Sequence, residues 1–177
     1  MTKNYQKEVS ELAEKIDFTK TDYSIELETS MGNMKLRLFP EKAPNHCKNI
    51  ISLSKLGFYD GLTFHRIIPN FVIQGGCPEG SGIGGPGYHV DAEFNSEPHE
   101  LGVLSMARAQ DPNSAGSQFF ICLGKVPHLD NQYTVFGTVE KENLDIVEKI
   151  GASETGQQDR PLEPITITKA TVTENPA

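Results

Sequence analysis

The chain has 177 residues, 37% of them hydrophobic and 23% charged, with 16 Lys and Arg against 24 Asp and Glu for a formal charge of -8. This composition supports one domain around a single core and excludes the disordered and collagen-like classes. The acidic balance excludes general attraction to phosphate backbones, so nucleic acid is not an expected partner, and no apolar run reaches the roughly 18 residues that a membrane crossing needs.

Met1 to Ile16 carries acidic residues and lacks the basic start, apolar run and cleavage site of a secretion signal, which implies a cytoplasmic protein. Tyr5, Val9, Leu12 and Ile16 recur at spacings of four, three and four between charged residues, so an amphipathic helix is predicted within an N-terminal extension over 1–20. The remaining domain, 21–177, begins with a change to period two. Tyr23, Ile25, Leu27 and Thr29 alternate with polar residues, Gly32-Asn33 reads as a turn, and Met34, Leu36 and Leu38 complete a hairpin.

Pro44 suits the first turn of a second helix, Cys47, Ile50, Ile51 and Leu56 supply its apolar stripe, and Gly57 ends it. Short strands are predicted at Thr63 to Ile67, Phe71 to Gln74, Leu101 to Met106, Gln118 to Leu123 and Thr134 to Val139. A helix over Asn143 to Ile150 and a last strand around Ile165 to Val172 follow. Eight strands and three helices without a dividing linker imply a mainly β protein: a closed or nearly closed antiparallel barrel with helices over its ends.

Gly76 to Glu100 holds six of the 16 glycines and three of the 11 prolines, so it reads as an ordered surface loop that shapes a site. Gly80, Gly82 and Gly85 match G-x-G-x-x-G, but Pro86-Gly87 follows where a dinucleotide fold needs a helix. No phosphate-binding, hydrolase or zincin motif occurs, and the five histidines are scattered, so neither cofactor nor metal is expected. Cys47, Cys77 and Cys122 lie outside any C-x-x-C pattern and read as reduced structural thiols.

The informative stretch is Phe64-His65-Arg66-Ile67-Ile68-Pro69-Asn70-Phe71-Val72-Ile73-Gln74-Gly75-Gly76, which sets an arginine and a glutamine on strands joined by a Pro-Asn turn. On these residues alone, a hairpin whose Arg66 merely caps the barrel is the better reading. Leu104-Ser105-Met106-Ala107-Arg108-Ala109 and Gly116-Ser117-Gln118-Phe119-Phe120-Ile121 change that balance. Together with Gly57-Phe58-Tyr59-Asp60-Gly61 and Val135-Phe136-Gly137, and in this order over about Tyr23 to Val172, they resemble the cyclophilin family of peptidyl-prolyl cis/trans isomerases.

The resemblance implies an eight-stranded antiparallel β-barrel capped by two α-helices, with the N-terminal helix as an addition, and a shallow outer groove. It implies that Arg66 is the catalytic arginine, with Gln74 beside it and Phe71, Val72, Phe120 and Leu129 forming a proline pocket. Ala107, Arg108 and Ala109 match the segment that pairs with bound peptide, Gln118 matches a polar groove residue, and His65 precedes the arginine as in the motif. His128 stands where a tryptophan helps bind cyclosporin, which weakens that ligand, and Tyr133 replaces a groove histidine. Both substitutions give the chain a bacterial-like character.

Val72 replaces a longer methionine and Arg108 an asparagine, so an altered substrate preference is expected. The insertion Gln110-Asp111-Pro112-Asn113 reads as surface variation. The implied activity is rotation about Xaa-Pro bonds in proline-containing peptides and folding proteins, by a monomer without cofactor. The competing class is a non-catalytic module that grips proline segments. Proline capture needs only the apolar pocket, whereas catalysis needs a donor at the imide nitrogen, so Arg66 favours the enzyme.

Overall fold

Alternating and continuous apolar runs fold into eight strands that surround one core in the computed structural model, which describes residues 3–177. The order is α1 (Gln6–Ala13), β1 (Thr21–Thr29), β2 (Gly32–Leu38), α2 (Pro44–Lys55), β3 (Arg66–Ile68), β4 (Val72–Gly75), β5 (Val103–Met106), β6 (Phe119–Cys122), β7 (Val135–Val139), α3 (Leu144–Gly151) and β8 (Ile167–Pro176). All strands belong to one sheet ordered β3-β4-β6-β5-β7-β2-β1-β8, and every pair is antiparallel.

The sheet curls until its two rims meet. Thr63 bridges Thr166, Phe64 N–H donates to the Ile165 carbonyl at 3.0 Å, and Ile167 N–H donates to the Leu62 carbonyl at 2.7 Å. The result is the nearly closed antiparallel barrel that the strand count implies, with α2 against β1, β7 and β8 and α3 against β2.

Helix α2 ends as its sequence predicts. Gly57 takes φ +74, its N–H donates to Ser54 and that of Phe58 to Leu53, a closing pair of bonds that satisfies the helix's last carbonyls. Helix α1 stops at Ala13, short of the predicted Ile16, yet Val9 and Ile16 are both buried in the main core. Tyr5 N–H donates to the Pro86 carbonyl at 2.9 Å and the Tyr5 ring meets Phe58 edge-on at 5.1 Å, so the N-terminal segment is fastened to the barrel and to the long loop.

The first hairpin turns two residues earlier than its Gly-Asn pair implies. Gly32 and Asn33 are the first residues of β2, paired with Thr29 and Glu28, and Ser30-Met31 make the turn. Gly32 is needed there because it has φ +132 and a Cβ would run into Ile146 of α3. The strand near Thr63 is likewise shorter than predicted: Thr63 makes an isolated bridge, and β3 starts only at Arg66.

Strand alternation sorts the continuous apolar runs onto two faces. Ile67, Ile73, Leu104, Met106, Phe119 and Ile121 enter the main core inside the barrel. Val72, Phe120 and Cys122 point outward and form a second, smaller core with Val126 and Leu129, against which Phe71, Ala107 and Tyr133 pack. Both faces are apolar here, so these strands read as unbroken hydrophobic segments. The predicted loop 76–100 contains no helix or strand, only one isolated bridge between Val90 and Ala115.

Candidate active site

Strands β3 and β4 are joined by Pro69-Asn70, with Phe71 N–H donating to the Ile68 carbonyl at 3.0 Å and Asn70 at φ +63. Proline followed by a left-handed Asn suits such a turn, because the ring presets one dihedral and Asn tolerates the other. The turn fixes the register that sets Arg66 directly opposite Gln74, and β4 in turn sets Gln74 opposite Phe120 of β6.

Their side chains then form a polar chain across the outer face. Arg66 Nη1 donates to Gln74 Oε1 at 3.1 Å, and Gln74 Nε2 donates to Gln118 Oε1 at 3.1 Å. Gln118 Nε2 donates to the carbonyls of Gly82 and Gly84, both at 2.9 Å. Each amide is thereby oriented by its neighbour, and Arg66, which is half-buried, keeps donors in excess of the one bond it makes here.

Beside this chain lies a hollow of about 170 Å³ lined by Arg66, Phe71, Val72, Gln74, Ala107, Arg108, Phe120, Leu129 and Tyr133. Its floor is the small outer core, so one wall is apolar and the other carries the guanidinium. Tyr133 meets Phe120 edge-on at 5.6 Å, and the Arg108 guanidinium covers Tyr133 with 4.5 Å to the ring centroid. Arg108 also donates to the carbonyls of Gln132, Ala109 and Gln110, so its charge is held in place rather than free in solvent.

The other expected residues are distributed around that hollow. Gln118 and Ala109 line a larger adjoining recess with Ile83, Gly84 and Tyr88. His128 is exposed and stacks on Phe71, rings 5.7 Å apart and inclined by 18°. His65 does not reach the groove. It is buried beside Gly82, where burial, Arg160 and Arg66 hold its pKa below the ordinary value.

Behind Phe120 is a group that no local motif announces. His99 is buried, with Nδ1 2.9 Å from Asp130 Oδ1 and Nε2 2.9 Å from Ser105 Oγ. A carboxylate only accepts, so Nδ1 carries the proton and Nε2 accepts from the Ser105 hydroxyl. Burial lowers the His99 pKa against the opposing pull of Asp130, while hydrogen bonds from the backbone and ring of His99 lower that of Asp130. Ser105 is fully buried, so this Ser-His-Asp array is a support for the pocket and not a nucleophile.

Among the described residues no cluster of three or more His, Cys, Asp or Glu is arranged to hold a metal, and no helix is long and apolar enough to cross a membrane. What the site offers is a fixed cationic donor beside a small hollow with an apolar floor.

Comparison with known proteins agrees. Residues 24–172 match the family model for cyclophilin type peptidyl-prolyl cis-trans isomerase/CLD. The chain is 53% identical over 125 residues to a peptidyl-prolyl cis-trans isomerase of Synechococcus elongatus, covering 70% of this chain and 86% of the relative. It is 46% identical over 152 residues to one of Schizosaccharomyces pombe, covering 83% and 97%. A crystal structure of a Cryptosporidium parvum cyclophilin type isomerase in the presence of the dipeptide Ala-Pro superposes with a TM-score of 0.78 at 34% identity, covering 86% of this chain and 99% of that one.

Proposed function

The chain belongs to the cyclophilin-type peptidyl-prolyl cis/trans isomerases and catalyses rotation about Xaa-Pro bonds; from that premise we propose that Arg66 is its catalytic residue and that the proline ring occupies the hollow formed by Phe71, Val72, Phe120 and Leu129. Unaided, these bonds isomerise over tens to hundreds of seconds, slowly enough to limit folding, which is the step the enzyme assists.

The barrier of about 18–20 kcal/mol exists because the nitrogen lone pair is delocalised into the carbonyl. As the bond twists, the nitrogen becomes pyramidal and regains that lone pair. A guanidinium aimed at it then gains a hydrogen bond that the planar ground state lacks, which lowers the barrier without any bond being broken. Gln74 and Gln118 hold Arg66 in place, so little reorganisation is needed when the lone pair forms. The apolar hollow keeps the ring still and favours a twisted imide with a reduced dipole. Backbone pairing at Ala107 to Ala109 holds the flanking peptide.

The observation that carries this reading is the 3.1 Å bond that fixes Arg66 on Gln74 at the rim of the apolar hollow. In a protease-coupled assay on an Ala-Pro peptide, Arg66→Ala should lower kcat/KM by roughly 10- to 150-fold, the worth of a charged hydrogen bond of about 1.5–3 kcal/mol. Part of the peptide affinity should survive. Unchanged turnover would remove Arg66 from the reaction and favour a proline-gripping module.

The ligands of this site are proline-containing peptides and folding chains. Cyclosporin is read as a weak ligand, because the exposed His128 offers a smaller face than an indole; His128→Trp should tighten it in a calorimetric titration. A cytoplasmic setting is supported by three buried, unpaired cysteines.

A further inference from the structure

The loop that presents the Gly82 and Gly84 carbonyls to Gln118 is itself held from outside the groove. Arg160 Nη1 donates to the Gly80 carbonyl at 2.6 Å and Nη2 to the Ser81 carbonyl at 3.4 Å. On the inner side, Cys77 Sγ accepts the Gly82 N–H at 3.3 Å. Gly80 and Gly82 have φ of +68 and +90, so the loop follows a path that other residues rarely adopt, and besides its own turn bonds, such as Gly80 N–H to the Cys77 carbonyl at 3.1 Å, Arg160 ties it to the chain's later turn.

Arg160 is delivered by a strained turn. Gln158 and Asp159, neither of them glycine, have φ of +59 and +60 in succession, and the turn is closed by the Gly156 N–H bond to the Arg160 carbonyl at 2.8 Å and a bridge between Thr155 and Pro161. Consecutive left-handed residues cost free energy and persist where the surroundings over-determine them. His65 fills the space beneath: it is buried, both ring nitrogens lack a partner, and a Cβ on Gly82 would lie 3.6 Å from its Nε2. Burial, Arg160 and Arg66 all lower the pKa of this ring.

We propose that Arg160 is a positioning residue for the isomerisation, acting through the Gly80–Gly84 loop on Gln118, through Gln118 on Gln74, and so on the aim of Arg66. It touches neither the apolar hollow nor the substrate. Without it the loop carbonyls lose their anchor, the Gln118 amide is free to rotate, and Arg66 loses the orientation that the twisted imide requires. The inference rests on the catalytic role assigned to Arg66.

The test is a set of full-length variants assayed on an Ala-Pro peptide by NMR exchange, which separates kcat from peptide affinity. Arg160→Ala should lower kcat by roughly 10- to 100-fold, the effect of a small misalignment at a distance. Peptide affinity should stay unchanged, because the proline hollow is intact. Arg160→Lys should recover part of kcat by keeping one bond to Gly80. In a Gln118→Ala background, Arg160→Ala should add no further loss, since both act along one line.

Wild-type kcat in Arg160→Ala, or losses that add in full with Gln118→Ala, would overturn the proposal. Should Arg160→Ala not fold, wild-type kcat in Arg160→Lys would overturn it equally. If Arg66→Ala is impaired while the Arg160 variants are not, only this inference falls. If Arg66→Ala is unimpaired, the assigned chemistry falls with it.

Discussion

The His99 imidazole lies parallel to the Phe120 ring, with centroids 6.0 Å apart and planes inclined by 18°. The aromatic floor of the hollow beside Arg66 therefore rests on a buried imidazole, and that imidazole is fixed by Asp130 on one nitrogen and Ser105 on the other.

Ser105→Ala should therefore destabilise the protein by about 1–3 kcal/mol, because it leaves a buried ring nitrogen without a donor. Urea unfolding followed by circular dichroism checks this, and a midpoint equal to the wild type would show that the Ser105 hydroxyl carries none of the load.

Mild acid should weaken the fold through its buried histidines. Burial holds His46, His65 and His99 below the ordinary histidine pKa, so the folded state binds fewer protons than the unfolded chain near and below about pH 6.5. Their contribution is fully present above that pH and is lost as pH falls through the folded values. Unfolding midpoints measured from pH 7.5 down to 5 should decline, and replacing His65 by Gln should flatten the decline; a constant midpoint over this range would contradict the argument.

Arg108 should bias substrate choice toward acidic residues near the proline. Its guanidinium is tied to the Gln132 carbonyl at 2.7 Å and lies over Tyr133, so it presents a stationary positive charge at the rim of the hollow. A panel of Glu-Pro, Ala-Pro and Lys-Pro peptides should rank in that order by kcat/KM. The spread should shrink with Arg108→Ala and with added salt, which screens exposed charges; an identical ranking in the variant would clear Arg108 of this role.

Removing residues 1–17 should cost about 3 kcal/mol or more, since the deletion takes away two buried side chains, Val9 and Ile16, each worth about 1.5–3 kcal/mol. It also removes the bonds that Asn4 and Tyr5 make to Gly87 and Pro86. Denaturant titration of the truncated chain measures the loss, and an unchanged midpoint would make the segment a mere appendage.

The barrel was legible because each strand declares itself locally: β1 and β2 alternate, and β4 and β6 read as unbroken apolar runs. Why those runs are unbroken was not legible. Only the folded chain shows that Val72 and Phe120 face an outer core while Ile73 and Phe119 face the inner one. The hairpin turn was misplaced by the Gly32-Asn33 pair, whose glycine serves the packing of Ile146 rather than the turn.

The residues that line the hollow stand in the motifs the chain displays, whereas His65, next to Arg66 in the same motif, is buried beside Gly82 and does not line it. The supports behind them left no local trace. His99 meets Asp130 across 31 residues, and Arg160 meets Gly80 across 80, so neither pairing has a spacing that a reader of the chain could recognise.

The meeting of the sheet's rims at Thr63 and Thr166 has a bearing on the company this protein keeps. An isomerase that handles incompletely folded chains works among sticky, unpaired strands, and an exposed strand margin would offer them a template for aggregation. Curling the sheet upon itself withdraws much of that margin and leaves little raw seam for such chains to pair with.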